Sequence, residues 1–166
     1  MSRRAILIIL AVLIGLILPV SAHAGDFGFK GWGPRVGLSS NPDQIVGGVQ
    51  FDLGEFAKNV RFQPSAEIGF GDDVTTFAGN FMVSYYFPVQ AKVTPYAGGE
   101  VSVVFYDFDK CDGRPHWACG GSDTEIGPAA VGGIEMKFSG KTRFLGELQI
   151  GFADLPDFKI VAGWIF

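Results

Sequence analysis

Apolar and polar side chains alternate along most of the chain after residue 30, and Gly, Pro, Asn and Asp interrupt the alternation at short intervals. A period of two is typical of a β-strand with one apolar and one polar face, and the interruptions are typical of turns. The pattern therefore predicts eight strands. They are Gly31–Leu38, Gln44–Leu53, Val60–Phe70, Val74–Phe87, Val93–Tyr106, Ile126–Phe138, Thr142–Phe152 and Phe158–Phe166.

The phase of the alternation places ten charged side chains on the polar faces and none within the apolar faces. The ten are Arg35, Asp52, Arg61, Glu67, Glu100, Glu135, Lys137, Arg143, Glu147 and Lys159. Two architectures have this pattern. A soluble sandwich or lipocalin-like barrel turns its charges toward water, whereas a transmembrane barrel turns its charges toward a polar lumen and its apolar face toward lipid.

Strand length and face composition favour the membrane barrel. The predicted strands are about 8–14 residues long, and a tilted strand needs ~9–11 residues to cross a bilayer. Their combined apolar face is too large for the core of one small soluble barrel. The polar faces also carry glycines that suit a narrow, packed lumen, namely Gly48, Gly69, Gly98, Gly133 and Gly151. We predict an all-β fold over residues 25–166, an eight-stranded antiparallel up-and-down transmembrane β-barrel that is a monomer.

The N-terminus has the three regions of a secretory signal peptide. Arg3 and Arg4 precede the apolar run Ala5–Val20, and Ala22-His23-Ala24 fits a cleavage site before Gly25. Residues 1–24 are therefore predicted to be removed after export through the general secretory route. The alternative is a permanent membrane anchor, for which the apolar run is short.

Composition and charge exclude several other classes of protein. With 48% hydrophobic residues, 18% charged residues and 24 glycines, the chain is too apolar for a disordered protein and too glycine-rich for a helix bundle. Its net charge is −4 and becomes more acidic without Arg3 and Arg4, which argues against a nucleic-acid partner. The length suits one domain, and no motif predicts a cofactor.

Two segments resemble a known family. The chain ends Lys159-Ile160-Val161-Ala162-Gly163-Trp164-Ile165-Phe166, and Pro95-Tyr96-Ala97-Gly98-Gly99-Glu100-Val101 resembles a Pro-Tyr-x-Gly-x-Gly strand. Both resemble the small outer-membrane β-barrel domain family, the eight-stranded opacity and OmpX-like porin-family barrels.

That resemblance implies a place in the outer membrane of a Gram-negative envelope, in contact with lipid and lipopolysaccharide. It implies that Ala162, Trp164 and Phe166 present an assembly signal to the barrel assembly machinery. Members of the family include adhesins, envelope-stabilising proteins, small solute carriers and lipid-A-modifying enzymes.

The charged residues of the polar faces are predicted to form a network in the lumen. Its members are Arg35, Arg61, Glu67, Glu100, Glu135, Lys137, Arg143, Glu147 and Lys159. Their positions along the strands suggest a basic tier of Arg61, Lys137 and Arg143 beneath an acidic tier. Pairing between the tiers would plug the lumen, since buried charges need partners. The alternatives are an ion path and paired carboxylates for glycoside chemistry.

The longest predicted connection holds the only two cysteines, Cys111 and Cys119. In an exported protein we expect them to form a disulfide. A metal site that also uses Asp112 and His116 is the alternative, but the cysteine spacing is not that of a zinc site. His116 and Trp117 are candidates for contact with lipopolysaccharide or a surface partner, or they pack the loop onto the barrel.

Together these patterns predict a non-enzymatic barrel with a structural or surface-interaction role. One alternative is a lipid-A-modifying enzyme, an acyl hydrolase or transferase, which would need a base beside its nucleophile. His116, Ser122 and Asp123 are the only loop residues that offer such a set. The other alternative is a small carrier for apolar solutes with a lateral opening. Prolines inside the predicted strands could provide that opening, at Pro34, Pro64, Pro95 and Pro128.

Overall fold

The computed structural model describes residues 26–72, 74–108, 122–138, 140, 142–153 and 155–166. Its eight strands are β1 (Phe27–Ser40), β2 (Gln44–Ala57), β3 (Val60–Phe70), β4 (Val74–Tyr86), β5 (Val93–Phe108), β6 (Ser122–Lys137), β7 (Arg143–Gly151) and β8 (Phe158–Ile165). Each strand pairs antiparallel with the next, and β1 pairs with β8, so the sheet closes into an up-and-down barrel. The prediction of an all-β, eight-stranded antiparallel barrel is confirmed.

The even number of strands leaves the barrel with two different ends. The terminal end carries residues 26 and 166 and the connections 58–59, 87–92 and 138–142. The loop end carries the connections 41–43, 71–73, 109–121 and 152–157. The tightest turn is at the terminal end, where Ala57 pairs with Val60 and Asn59 has a φ of 62°.

Several strands are longer than the alternation predicted. β1 begins at Phe27 and not at Gly31, β2 continues to Ala57 and not to Leu53, and β6 begins at Ser122 and not at Ile126. The alternation does not predict the β2 extension because the register shifts between Gln50 and Glu55, which breaks the period of two. Gly54 lies in this irregular stretch with a φ of 77°, a conformation that favours glycine.

The four prolines inside strands do not open the barrel. Pro34, Pro64, Pro95 and Pro128 are all aligned with a partner residue in a neighbouring strand. The carbonyls of Pro95 and Pro128 accept hydrogen bonds from the amides of Phe87 and Phe152, both at 3.0 Å. A proline lacks only the N–H donor, so one missing ladder bond leaves the pairing in place.

The barrel wall separates an apolar outer surface from an interior that holds the buried polar groups. Large outward side chains are well exposed, for example Phe77, Phe81 and Phe105, each at about half of its full accessibility. Inside, apolar side chains pack in two groups. Met82, Tyr86, Tyr96, Val131, Leu145 and Ile165 form the first, and Val74, Val104, Tyr106, Ala129 and Leu155 form the second. Over the part of the chain that the structure describes, no helix is long and apolar enough to span a membrane.

Candidate functional site

A central cluster of ion pairs crosses the barrel interior. Arg35 on β1 contacts Glu67 of β3 through Nε and Glu147 of β7 through Nη2, both at 2.9 Å. Lys159 on β8 donates from Nζ to the other oxygen of Glu67 at 2.6 Å. The Arg35, Glu67 and Glu147 side chains are each at most 2% exposed. Pairs removed from water to this degree are held by strong electrostatic attraction and are costly to break.

Neutral hydrogen-bond donors complete the central cluster. The Tyr96 hydroxyl donates to Glu147 Oε1 at 2.8 Å, and Gln149 Nε2 donates to Glu147 Oε2 at 3.2 Å. Glu100 accepts from Ser102 Oγ at 3.0 Å. Gln149 therefore joins two acidic residues, since its Nε2 also lies 3.4 Å from Glu100 Oε2.

A second group, the terminal cluster, lies nearer the terminal end. Arg143 Nη1 lies 2.6 Å from Asp52 Oδ2 and 3.2 Å from Glu135 Oε2. Arg61 Nη1 lies 3.0 Å from the same Glu135 oxygen and 3.9 Å from Asp52. The Arg61 guanidinium also stands 4.2 Å above the centre of the Tyr86 ring, within the range of a cation–π contact.

The structure gathers most of the predicted lumen residues but pairs them differently. Arg35, Glu67, Glu100, Glu147 and Lys159 lie in the central cluster, and Arg61, Glu135 and Arg143 lie in the terminal cluster. Acids and bases therefore pair within each cluster. Arg61 and Arg143 do lie nearer the terminal end than the acidic residues of the central cluster, as expected. The expected pairing between the two tiers is not observed among the described residues, because each cluster contains its own acids and bases.

Lys137 is the exception among the predicted lumen residues. It is the last residue of β6, is exposed, and belongs to none of the ion pairs formed by the described residues. Asp52, which was not among the predicted network residues, pairs with both arginines of the terminal cluster.

The barrel interior contains a small cavity. A cavity of about 40 Å³ lies on the loop-end side, beside Glu67, Glu100, Gln149 and Lys159. Val104, Ala129 and Leu155 of the second apolar group also line this cavity.

The predicted assembly signal lies on β8 and just after it. Trp164 and Phe166 face outward and are exposed, and Ala162 shares that face but is half-buried. The Trp164 ring packs edge-on against Phe144 with centroids 5.3 Å apart. Cys111, Cys119, His116 and Trp117 lie outside the described residues, so the disulfide and the loop contacts remain predictions. Within the described ranges, no group of three or more His, Cys, Asp or Glu side chains could hold a metal ion.

Comparison with known proteins gives a fold and no sequence relative. No protein-family model matches the chain, and no curated protein matches it. Neisserial surface protein A superposes with a TM-score of 0.62 at 12% identity, over 81% of this chain and 93% of that one. The N-terminal β-barrel domain of Pseudomonas aeruginosa OprF gives 0.65 at 12% identity, over 86% of this chain and 98% of that one.

This chain has the fold of the small outer-membrane β-barrels. The likeness covers nearly the whole length of both solved chains. The resemblance drawn from Pro95–Val101 and Lys159–Phe166 is therefore confirmed at the level of the fold. At this identity the comparison transfers no residue role, because barrels of one architecture serve different functions.

Proposed function

We propose that this protein is a non-enzymatic β-barrel of a Gram-negative outer membrane, with a structural or surface-interaction role. One observation carries the proposal: the ion pairs lie inside the barrel, and the surface around it is apolar. In water this arrangement would expose the apolar side chains and bury the charges, which is unfavourable on both counts. In a bilayer the same surface contacts lipid.

Aromatic side chains support this placement. Trp32, Tyr85, Phe87, Trp164 and Phe166 are exposed toward the terminal end, and Phe70, Phe77, Phe105 and Phe152 are exposed toward the loop end. Aromatic girdles mark the two membrane interfaces of transmembrane barrels. The longest connection, 109–121, lies opposite the termini, as expected if the terminal end faces the periplasm.

The proposed lumen is plugged. A continuous path would have to pass both the central and the terminal cluster, and would separate charges that are paired at 2.6–3.2 Å. The cavity of about 40 Å³ has room for only a few water molecules. We therefore expect the purified protein to show no stable conductance in planar bilayers.

The proposed protein is exported, assembled into the membrane and closed at its surface loop by a disulfide. Residues 1–24 direct the chain through the general secretory route and are removed, and Ala162, Trp164 and Phe166 are read by the assembly machinery. A Cys111–Cys119 disulfide closes the surface loop, whose His116 and Trp117 contact lipopolysaccharide. The mature protein is a monomer.

Gel mobility tests the proposed location. Protein from washed outer membranes is expected to migrate differently on SDS gels when kept cold and when boiled, because a closed barrel resists detergent. Recovery as a soluble periplasmic protein, with one mobility in both samples, would overturn the proposal.

Lipid analysis tests the absence of enzymatic activity. Expression is expected to leave the acyl-chain pattern of lipid A unchanged by mass spectrometry. A pattern that changes with the wild-type protein and not with His116→Ala would favour the lipid-A-modifying alternative.

A lysine on the outer surface should oppose membrane insertion. Phe81 is half exposed in the middle of β4, so Phe81→Lys is expected to destabilise the barrel in vesicles by ~2–4 kcal/mol. Val89 is similarly exposed but lies in the turn at the terminal end, where Val89→Lys should cost ~0–1 kcal/mol. Urea unfolding in vesicles measures both changes, and equal effects would contradict the proposed depth of the two sites.

A further inference from the structure

Buried carboxylates outnumber cations by one in the two interior clusters. The terminal cluster has two arginines and two buried carboxylates, Asp52 and Glu135, and the partly exposed Glu55 lies 3.8 Å from Arg61 at its edge. The central cluster has Arg35 and Lys159 against Glu67, Glu147 and Glu100. The unbalanced negative charge therefore belongs to the central cluster.

Glu100 is the carboxylate that forms no direct ion pair. Its side chain is buried, and its contacts are the Ser102 hydroxyl at 3.0 Å and the Gln149 amide at 3.4 Å, both neutral. None of the ion pairs among the described residues includes it. A buried carboxylate whose hydrogen-bond partners are all neutral is costly, and a cation bound directly to it would lower that cost.

The cavity beside Glu100 offers further oxygen atoms. Asn80 lines it and is 1% exposed, and its Oδ1 has no hydrogen-bond partner while its Nδ2 donates to Ser65 at 3.1 Å. Asn80 is aligned with Ser102 across the β4–β5 ladder, which places the amide and the hydroxyl on neighbouring strands. A buried oxygen without a donor is rare in a folded protein and indicates a missing partner.

We propose that this cavity binds one monovalent metal cation, with Na⁺ as the probe. Its ligands are the Glu100 carboxylate, Asn80 Oδ1 and the Ser102 hydroxyl, and water fills the remaining positions. The volume of about 40 Å³ accommodates an ion with one or two waters, since each needs roughly 10–15 Å³ by this measure. All of these ligands are oxygen atoms, which hard cations prefer.

The charge of the surroundings selects a monovalent ion. One positive charge neutralises the central cluster, whereas a divalent ion would leave an excess positive charge beside Lys159 and Arg35. Lys159 lines the same cavity, but its ammonium group is already held by Glu67 at 2.6 Å. The proposal needs only the closed barrel and is independent of the role of the protein in the membrane.

Equilibrium unfolding in urea tests the site. The refolded barrel is compared in NaCl and in N-methylglucamine chloride at one ionic strength. Above the dissociation constant, each tenfold rise in Na⁺ should lower the unfolding equilibrium constant about tenfold, as expected for one ion bound only to the folded state. Glu100→Gln should abolish this dependence.

Two further variants separate a bound ion from general effects. Ser102→Ala keeps the carboxylate but removes one ligand, so it should bind Na⁺ more weakly and tests the site even if Glu100→Gln folds poorly. Glu55→Gln is the matched control, since Glu55 is a partly exposed carboxylate that does not line the cavity and should leave the Na⁺ dependence unchanged.

Crystals soaked in Rb⁺ give a direct measurement. A single anomalous peak between Glu100, Asn80 and Ser102 is expected. Equal stability in the two salts, together with no peak, would overturn the proposal. Stability that responds to pH through Glu100 and not to Na⁺ would also overturn it, because a proton would then neutralise the carboxylate.

Discussion

Replacing Arg35 by methionine is expected to lower the free energy of unfolding by ~3–5 kcal/mol, the usual cost of removing one partner from a buried ion pair. Arg35 contacts Glu67 and Glu147 at 2.9 Å, and all three side chains are almost fully buried. Lys159 would still hold Glu67 at 2.6 Å. Glu147 would keep only the neutral donors of Tyr96 and Gln149, so most of the cost arises there.

The matched control is Lys30→Met. Lys30 pairs with Asp26 at 2.6 Å, but the Asp26 side chain is 89% exposed, so the loss should be ~0–1 kcal/mol. The double variant Arg35→Met with Glu147→Gln should recover part of the stability, because it removes the unpaired charge. Urea unfolding, monitored by tryptophan fluorescence, measures the free energy of unfolding of all three variants. A loss below ~1 kcal/mol for Arg35→Met would show that the central cluster does not contribute as a buried ion pair.

The inward position of the central-cluster residues could be predicted from the sequence because it depends only on local geometry. Successive side chains on a strand point to opposite faces. Once the apolar positions of a strand are assigned to one face, the residues between them are therefore assigned to the other face. Arg35, Glu67 and Glu147 were assigned to the polar face in this way, and the structure buries all three. The same rule assigns Tyr96 to the interior.

The partners of these residues could not be predicted in the same way. Arg35 and Glu147 are 112 positions apart, and their contact depends on the tilt and stagger of the closed sheet. The prediction that Lys137 joins the lumen network failed for a related reason. The alternation assigns a strand residue to one face of the sheet but does not give its distance from the end of the barrel. The register shift before Glu55 likewise could not be predicted from the alternation of apolar and polar residues.

A valine at Gly133 is expected to destabilise the barrel by about 3–5 kcal/mol, from overpacking together with the loss of a charged hydrogen bond. Gly133 is aligned with Tyr96 across the β5–β6 ladder. A Cβ at this position would stand 2.5 Å from Tyr96 Cζ and 2.7 Å from the carbonyl oxygen of Gly146. The ring would have to move, although it stacks on Tyr86 at 4.8 Å and donates to Glu147 at 2.8 Å.

The adjacent Gly132 provides the matched control for this prediction. It faces outward, and a Cβ there would meet no atom within 4 Å. Gly132→Val should therefore leave stability unchanged or raise it by up to ~1 kcal/mol, since glycine is unfavourable inside a strand. Combining Gly133→Val with Tyr96→Ala should cost less than the sum of the two changes, because the smaller side chain removes the overlap. Equal effects of valine at 132 and 133 in urea unfolding would mean that the Tyr96 ring does not lie against Gly133.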